Sequence, residues 1–297
     1  AGGLASSAFG WSNTASAENA SAFGYVNEAS GLASSALGFR NKAANENASA
    51  VGYGNNAGGV ASSAFGFSNV AKVDYASAFG YSNEASGLAS SAVGFRNKAA
   101  SENASAVGYG NSANALAASA VGYNNTAGGV GSSTIGYNNT ATNENASAFG
   151  YGNTAGGLAS SAFGFSNTAS GDNANAFGYN NIASGSKSNV FGTGNTVSGS
   201  SSTAVGTANE VAAENSTAIG NNNTISSGAE NSAALGNNIS ISLKDSVALG
   251  NNSTATAINS VTGNSSYTKW AGVSDVVGVV SVGSSGATRQ IQNVAAG

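Results

Sequence analysis

The chain has no proline, histidine, cysteine or methionine among its 297 residues, and only 7% of them are charged. Without cysteine there is neither a disulfide framework nor a thiolate nucleophile. Without histidine, the usual general base near neutral pH and the commonest metal ligand are both missing. Nine lysines and arginines against thirteen carboxylates leave a net charge of -4, which gives no basic footprint for nucleic acid. No apolar run approaches the ~18 residues of a membrane-spanning helix, so no membrane contact is expected of this stretch. The sequence begins inside a repeat at Ala1-Gly2-Gly3-Leu4, with no charged n-region or apolar signal segment, and is expected to be a piece of something longer.

What is present is glycine, alanine, serine and asparagine in a fixed register. A glycine recurs every fourteen residues from Gly10 through Gly24, Gly38 and Gly52 to Gly220. Composition alone would suit a disordered, low-complexity chain. Disorder, however, has no reason to hold Phe, Val, Leu or Ile at one phase for so long, and collagen needs glycine at every third position. A period of this size marks a stacked array.

With the repeating glycine as position 0, the residue before it is always large and apolar: Phe9, Phe23, Leu37, Val51, Phe65, Phe79, Val93, Val107 and onward to Ile219. This −1 column is expected to be the structural core. Position −2 is mostly alanine, −3 mostly serine and +5 small and apolar. Position +3 is asparagine throughout, as in Asn13, Asn27, Asn41 and Asn55, and reads as a turn ladder. Asparagine tolerates the left-handed conformation of a turn, and its amide can hydrogen-bond from coil to coil. A central glycine and a nearby asparagine are poor helix formers. Two strands of about five residues and two tight turns would use the fourteen. The fold class is therefore all-β, a flat parallel β-roll whose coils stack at about 4.8 Å.

Such a coil is thin. Ordering it costs roughly 14–28 kcal/mol of backbone entropy, and burying one Phe or Val returns only about 1.5–3 kcal/mol. The +1 column, from Trp11, Tyr25 and Phe39 to Tyr179, adds thirteen aromatics that cannot all fit inside beside the −1 column. A subunit interface is the better expectation for so large an apolar stripe. Residues 4–59 and 60–115 nearly repeat each other, so block duplication accounts for a −6 column alternating between Leu4, Leu32 and Leu88 and Glu18, Glu46 and Glu102. The expected domains are a roll over 1–250, with one sixteen-residue coil near 221–236, and an irregular insertion over 251–279 containing Trp270. A last coil and the start of a neck follow over 280–297.

Asn215-Ser216-Thr217-Ala218-Ile219-Gly220 and Asp245-Ser246-Val247-Ala248-Leu249-Gly250 follow an N-S-x-A-[IVL]-G pattern. Val280-Ser281-Val282-Gly283 and then Arg289-Gln290-Ile291-Gln292-Asn293-Val294-Ala295-Ala296-Gly297 close the chain. Essentially the whole sequence resembles the heads of trimeric autotransporter adhesins, the YadA-like heads of Gram-negative bacteria. The resemblance implies a homotrimer of left-handed parallel β-rolls and a neck that includes Arg289, Gln290, Ile291, Asn293 and Val294. It also implies a bacterial cell-surface location, with anchoring in the outer membrane through a stalk and barrel not in this sequence. The partners it implies are host matrix proteins or glycans, abiotic surfaces, or other bacterial cells. The sequence departs from the family pattern in its serine at −3, its aromatic +1 column and its Tyr267–Val277 insertion.

No catalytic residue, cofactor site or metal site is expected. Ser184-Gly185-Ser186-Lys187 matches S-x-x-K formally but lacks the partner motifs. The carboxylates of the −6 column recur two coils apart, nearly 10 Å, too far to share a cation. Arg40, Lys42, Arg96 and Lys98 are the candidate ligand contacts, with a solvated turn carrying weak salt bridges to Glu28 and Glu84 as the blander reading. An ice- or surface-binding solenoid is the alternative function, although Glu28, Lys42 and Asn56 interrupt the threonine column of Thr14, Thr126 and Thr140. A polysaccharide-cleaving β-helix is disfavoured because no carboxylate cluster is in view.

Overall fold

The computed structural model describes residues 1–258 and 277–292. The chain divides into two compact units, Ala1–Ala159 and Ser160–Gly297, each a parallel β-solenoid with no helix among the described residues. Trp270 with most of its insertion, and Asn293 and Val294 of the expected neck, lie outside the described residues.

In the first unit every coil carries one five-residue strand and one two-residue strand. The long strands, such as Ser21–Tyr25 and Ser35–Phe39, span positions −3 to +1. The short ones, such as Glu28–Ala29 and Lys42–Ala43, span +4 and +5. Each strand pairs in parallel with its counterpart fourteen residues on, placing Ala22 beside Ala36 and Gly24 beside Gly38. The second strand is shorter than the sequence suggested because the corners consume more residues. Each coil turns through two left-handed residues, at −5 and +2, exemplified by Asn19 (φ 56°), Val26 (φ 56°), Ala33 (φ 53°) and Arg40 (φ 54°). The left-handed residue of the second corner is thus the one before the asparagine, a correction to the role assigned to Asn27 and its column. At Val26 this conformation falls on a β-branched residue, where it is strained.

Alternation along the long strand decides what is inside. Positions −4 and −2 point into the coil, as do +3 and +5 from the opposite side. Ala22, Ala29, Ala36, Ala43, Ala48 and Ala50 are all buried. The −1 column points out: Phe23, Leu37 and Val107 remain 38%, 49% and 37% exposed. Phe9, Phe23, Leu37, Val51, Phe65, Phe79, Val93 and Val107 are therefore not the interior of the chain. One residue of β-register separates them from the inward −2 column, which is alanine in unit one except at the buried Thr134.

Gly80 shows why position 0 is glycine. Its φ is +116°, and a Cβ there would lie 2.1 Å from the carbonyl oxygen of Gly94 in the next coil. A second close approach explains the two-coil alternation. At −7, Gly31 and Gly87 sit where a Cβ would fall 2.0 Å from Asn45 O and 1.9 Å from Ser101 O. The glycine coils also place serine at −4, where Ser34 Oγ and Ser90 Oγ each accept the −7 amide at 3.1 Å. Packing thus adds a physical cause to the block repetition.

The asparagine column is a buried hydrogen-bond ladder. Asn41 Nδ2 donates to Leu37 O (2.9 Å) in its own coil, to Gly52 O (2.7 Å) in the next and to Asn27 Oδ1 (3.0 Å) in the previous one. Two amide hydrogens serve three acceptors, so one is shared. Asn41 Oδ1 in turn accepts both the backbone N–H and the side-chain amide of Asn55, each at 3.0 Å. The ladder expected for Asn13, Asn27, Asn41 and Asn55 is present, inside the coil.

The second unit keeps this plan with a fuller interior. Val190, Val197, Val211, Ile225, Ile239 and Ile241 are buried where unit one has alanine or asparagine. The sixteen-residue coil keeps register, with Thr217 beside Ala233 and Gly220 beside Gly236. Ile239 ends the asparagine ladder: its N–H still donates to Asn223 Oδ1 (3.0 Å), but it passes nothing on. Val280–Ser281 stacks on the preceding long strand, with Val247 beside Val280. Ser188 Oγ is buried with no hydrogen-bond partner among the described residues, in a column that alternates between hydrogen-bonded serine, as at Ser202, and alanine, as at Ala174. Replacing Ser188 by alanine is expected to raise stability by about 1 kcal/mol, read as a higher melting temperature; an unchanged or lower one would contradict it.

Candidate functional site

The outward face of the long strands carries two apolar columns, −1 and +1, on either side of the glycines. In the first unit the +1 side chains form one continuous stack from Trp11 to Tyr151. Successive ring centroids are 4.6–4.9 Å apart, with Tyr109, Tyr123 and Tyr137 within 4° of parallel. Spacing and parallelism follow from the in-register strands, which place equal side chains one strand apart. Tyr109, Tyr123 and Tyr137 are each 43% exposed. The −1 column is aromatic only in places, as at Phe65 and Phe79 (5.1 Å).

The two columns diverge along the sequence. Position −1 stays apolar through Phe191, Val205, Ile219, Leu235 and Leu249, whereas +1 changes to Thr193, Thr207, Asn221, Asn237 and Asn251. Those asparagines form an outer amide ladder, with Asn221 Nδ2 donating to Asn237 Oδ1 (2.8 Å) and Asn237 Nδ2 to Asn251 Oδ1 (2.9 Å).

A family model of the YadA head domain repeat matches residues 1–26, 29–55, 57–83, 85–111, 127–153, 155–181, 198–223 and 244–261, well over half of the chain. The chain belongs to the YadA head family. It is a YadA-like head of a trimeric autotransporter adhesin, a class displayed on the bacterial cell surface. Comparison with curated proteins gives no match along the chain.

Within this YadA-like head, the expected ligand contacts occupy the corner beside the stack. Arg40 places its guanidinium carbon 5.1 Å from the Phe39 ring centroid, and Arg96 does the same at Phe95. Lys42 Nζ pairs with Glu28 Oε1 at 3.2 Å. Both partners of that pair are nearly half exposed, so it contributes about 0–1 kcal/mol. Lys98 lies in register with Glu84. The structure thus brings each Arg/Lys pair together on one corner and keeps the two pairs four coils apart, roughly 19 Å.

No group of three potential metal ligands occurs among the described residues. In the first unit Thr126, Thr140 and Thr154 line one outward column, but its two-residue strands present only one outward position each, so they form a single file rather than a two-dimensional array.

At the C-terminal end of the second unit, Arg289 reaches across the last coil. Its Nη1 donates to Ser253 Oγ (3.1 Å) and Val282 O (2.8 Å), and its Nη2 to Asn251 O. Gln290 accepts from Gln292 Nε2 at 3.2 Å, and Ile291 is exposed. What the sequence reading missed is the continuous stacking of the +1 rings. Its signal was available in the unbroken +1 column, given in-register pairing.

Proposed function

We propose that this head attaches its cell by multivalent contact to host matrix, abiotic surfaces or other bacteria, as a homotrimer whose subunits pack through the −1 column. The observation that carries this reading is the persistence of a half-exposed apolar stripe at −1 through every coil, on a chain whose own interior in unit one is alanine, serine and an asparagine ladder with no large apolar side chain. Contiguous apolar stripes of this extent mark subunit interfaces. Side-chain chemistry at +1 changes to polar while −1 does not, so −1 is the stripe every coil needs. Three copies of a repeated coil present many equivalent weak sites, and avidity multiplies affinities that are modest singly.

Analytical ultracentrifugation tests the assembly. The chain is expected to sediment as a trimer, and the double variant Val205→Lys/Ile219→Lys as a smaller species, because each added ammonium would have to be buried unpaired. A folded wild-type monomer at micromolar concentration would end this reading. Attachment itself is read by binding the trimer to immobilised matrix proteins, glycans and bare polymer, where single-coil deletions should weaken binding in proportion to the coils lost.

A further inference from the structure

Strand register does not require an aromatic residue at +1. Coils with Thr193, Thr207 and Asn221 at this position pair in the same register as those with tyrosine. The exposed ring faces are therefore available to a partner without cost to the pairing. Two features of the chain indicate the chemistry they accept. Where an arginine is available at +2, its planar guanidinium settles against the ladder, at Phe39 and again at Phe95. From Asn103 to Asn143 there is no charged residue at all, and the charges bounding that stretch in sequence, Glu102 and Glu144, sit at the opposite corner of the coil from the +1 stripe. Within that stretch Tyr123 and Tyr137 carry hydroxyls with no hydrogen-bond partner among the described residues, and no chain cation is available to cover them.

We propose that the rungs around Tyr123 and Tyr137 form a docking stripe for an arginine-presenting segment of a partner protein. Each guanidinium repeats the contact that Arg40 and Arg96 make within the chain. A tyrosine rung adds what Phe39 and Phe95 lack, a phenol oxygen that accepts from the five-donor fork. Guanidinium is weakly hydrated and gives up little to lie against a ring, whereas the ammonium of lysine is strongly hydrated. The stripe should therefore distinguish arginine from lysine at equal charge, which net charge alone cannot do.

The probes are octa-arginine and octa-lysine peptides, titrated by fluorescence anisotropy against the whole head at physiological ionic strength. Octa-arginine is expected to bind at least fivefold tighter than octa-lysine. The double variant Tyr123→Leu/Tyr137→Leu, which keeps apolar bulk, should lose about tenfold in octa-arginine affinity and leave octa-lysine unchanged. Equal affinity for the two peptides, or an unaltered double variant, overturns the proposal. Sedimentation and circular dichroism of the variant check that assembly and fold are intact, so this result stands or falls separately from trimerisation.

Discussion

Replacing Gly80 by alanine is expected to break the stack at that coil, with a loss of about 3–5 kcal/mol. Two costs combine. The backbone there has φ +116°, a conformation L side chains rarely adopt, and the new methyl would meet the Gly94 carbonyl oxygen at 2.1 Å. That oxygen is backbone, held by its own coil and by Asn83 Nδ2 at 2.7 Å, so it cannot swing aside as a flexible side chain would. The coils must separate, and the pairing of Gly80 with Gly94 fails with them. Hydrogen exchange should show faster exchange centred on residues 77–95, and calorimetry a lower melting temperature. The outward substitution Ser77→Ala, three residues away, should change stability by no more than about 0.5 kcal/mol. Equal behaviour of the two variants would refute the close-approach argument.

Asn97→Asp is the second large effect, and it carries a pH signature. Asn97 is buried, and its Nδ2 faces three acceptors: Asn83 Oδ1 (3.0 Å), Val93 O (2.9 Å) and Gly108 O (2.7 Å). A carboxylate oxygen in that place has no donor to meet and three negative partners. Burial among acceptors raises the folded-state pKa of the new group above its unfolded value of about 3.9. The sign follows directly. Below the unfolded pKa the group is protonated in both states and the penalty is smallest. As pH rises, the folded state resists ionisation while the unfolded state does not, so stability falls until pH passes the folded pKa. The variant should lose about 4 kcal/mol or more at pH 7 and recover part of it near pH 4, measured as the melting-temperature gap to wild type at each pH. A gap independent of pH would show that the ladder is not the cause.

The period of fourteen was enough to read a parallel stack, because no other arrangement keeps Gly24, Gly38 and Gly52 equivalent. The Asn ladder was legible for the same reason. The side on which Phe23 or Leu37 lies was not. Inside and outside differ by one residue of register, and the sequence pairs a bulky residue with alanine at adjacent positions. Hydrophobicity alone then favours putting the larger one inside, whereas the register of the long strand turns the smaller one inward. The left-handed corners were equally hidden. Position +2 accepts Ser12, Val26, Arg40 and Gly54 alike, so no residue type announces it. Arg40 and Arg96 stood out by their charge, and their seats against Phe39 and Phe95 required coordinates.

A solenoid of identical coils contains no instruction to stop. Each coil hands the next an unfilled row of backbone acceptors, the same bare edge by which strands of separate molecules recruit one another. Arg289, folded back over Asn251 O and Val282 O, writes the full stop: it spends a fixed positive charge on carbonyls that another strand would otherwise claim. The last described coil thus offers two fewer bare acceptors to a passing strand than the coils before it would.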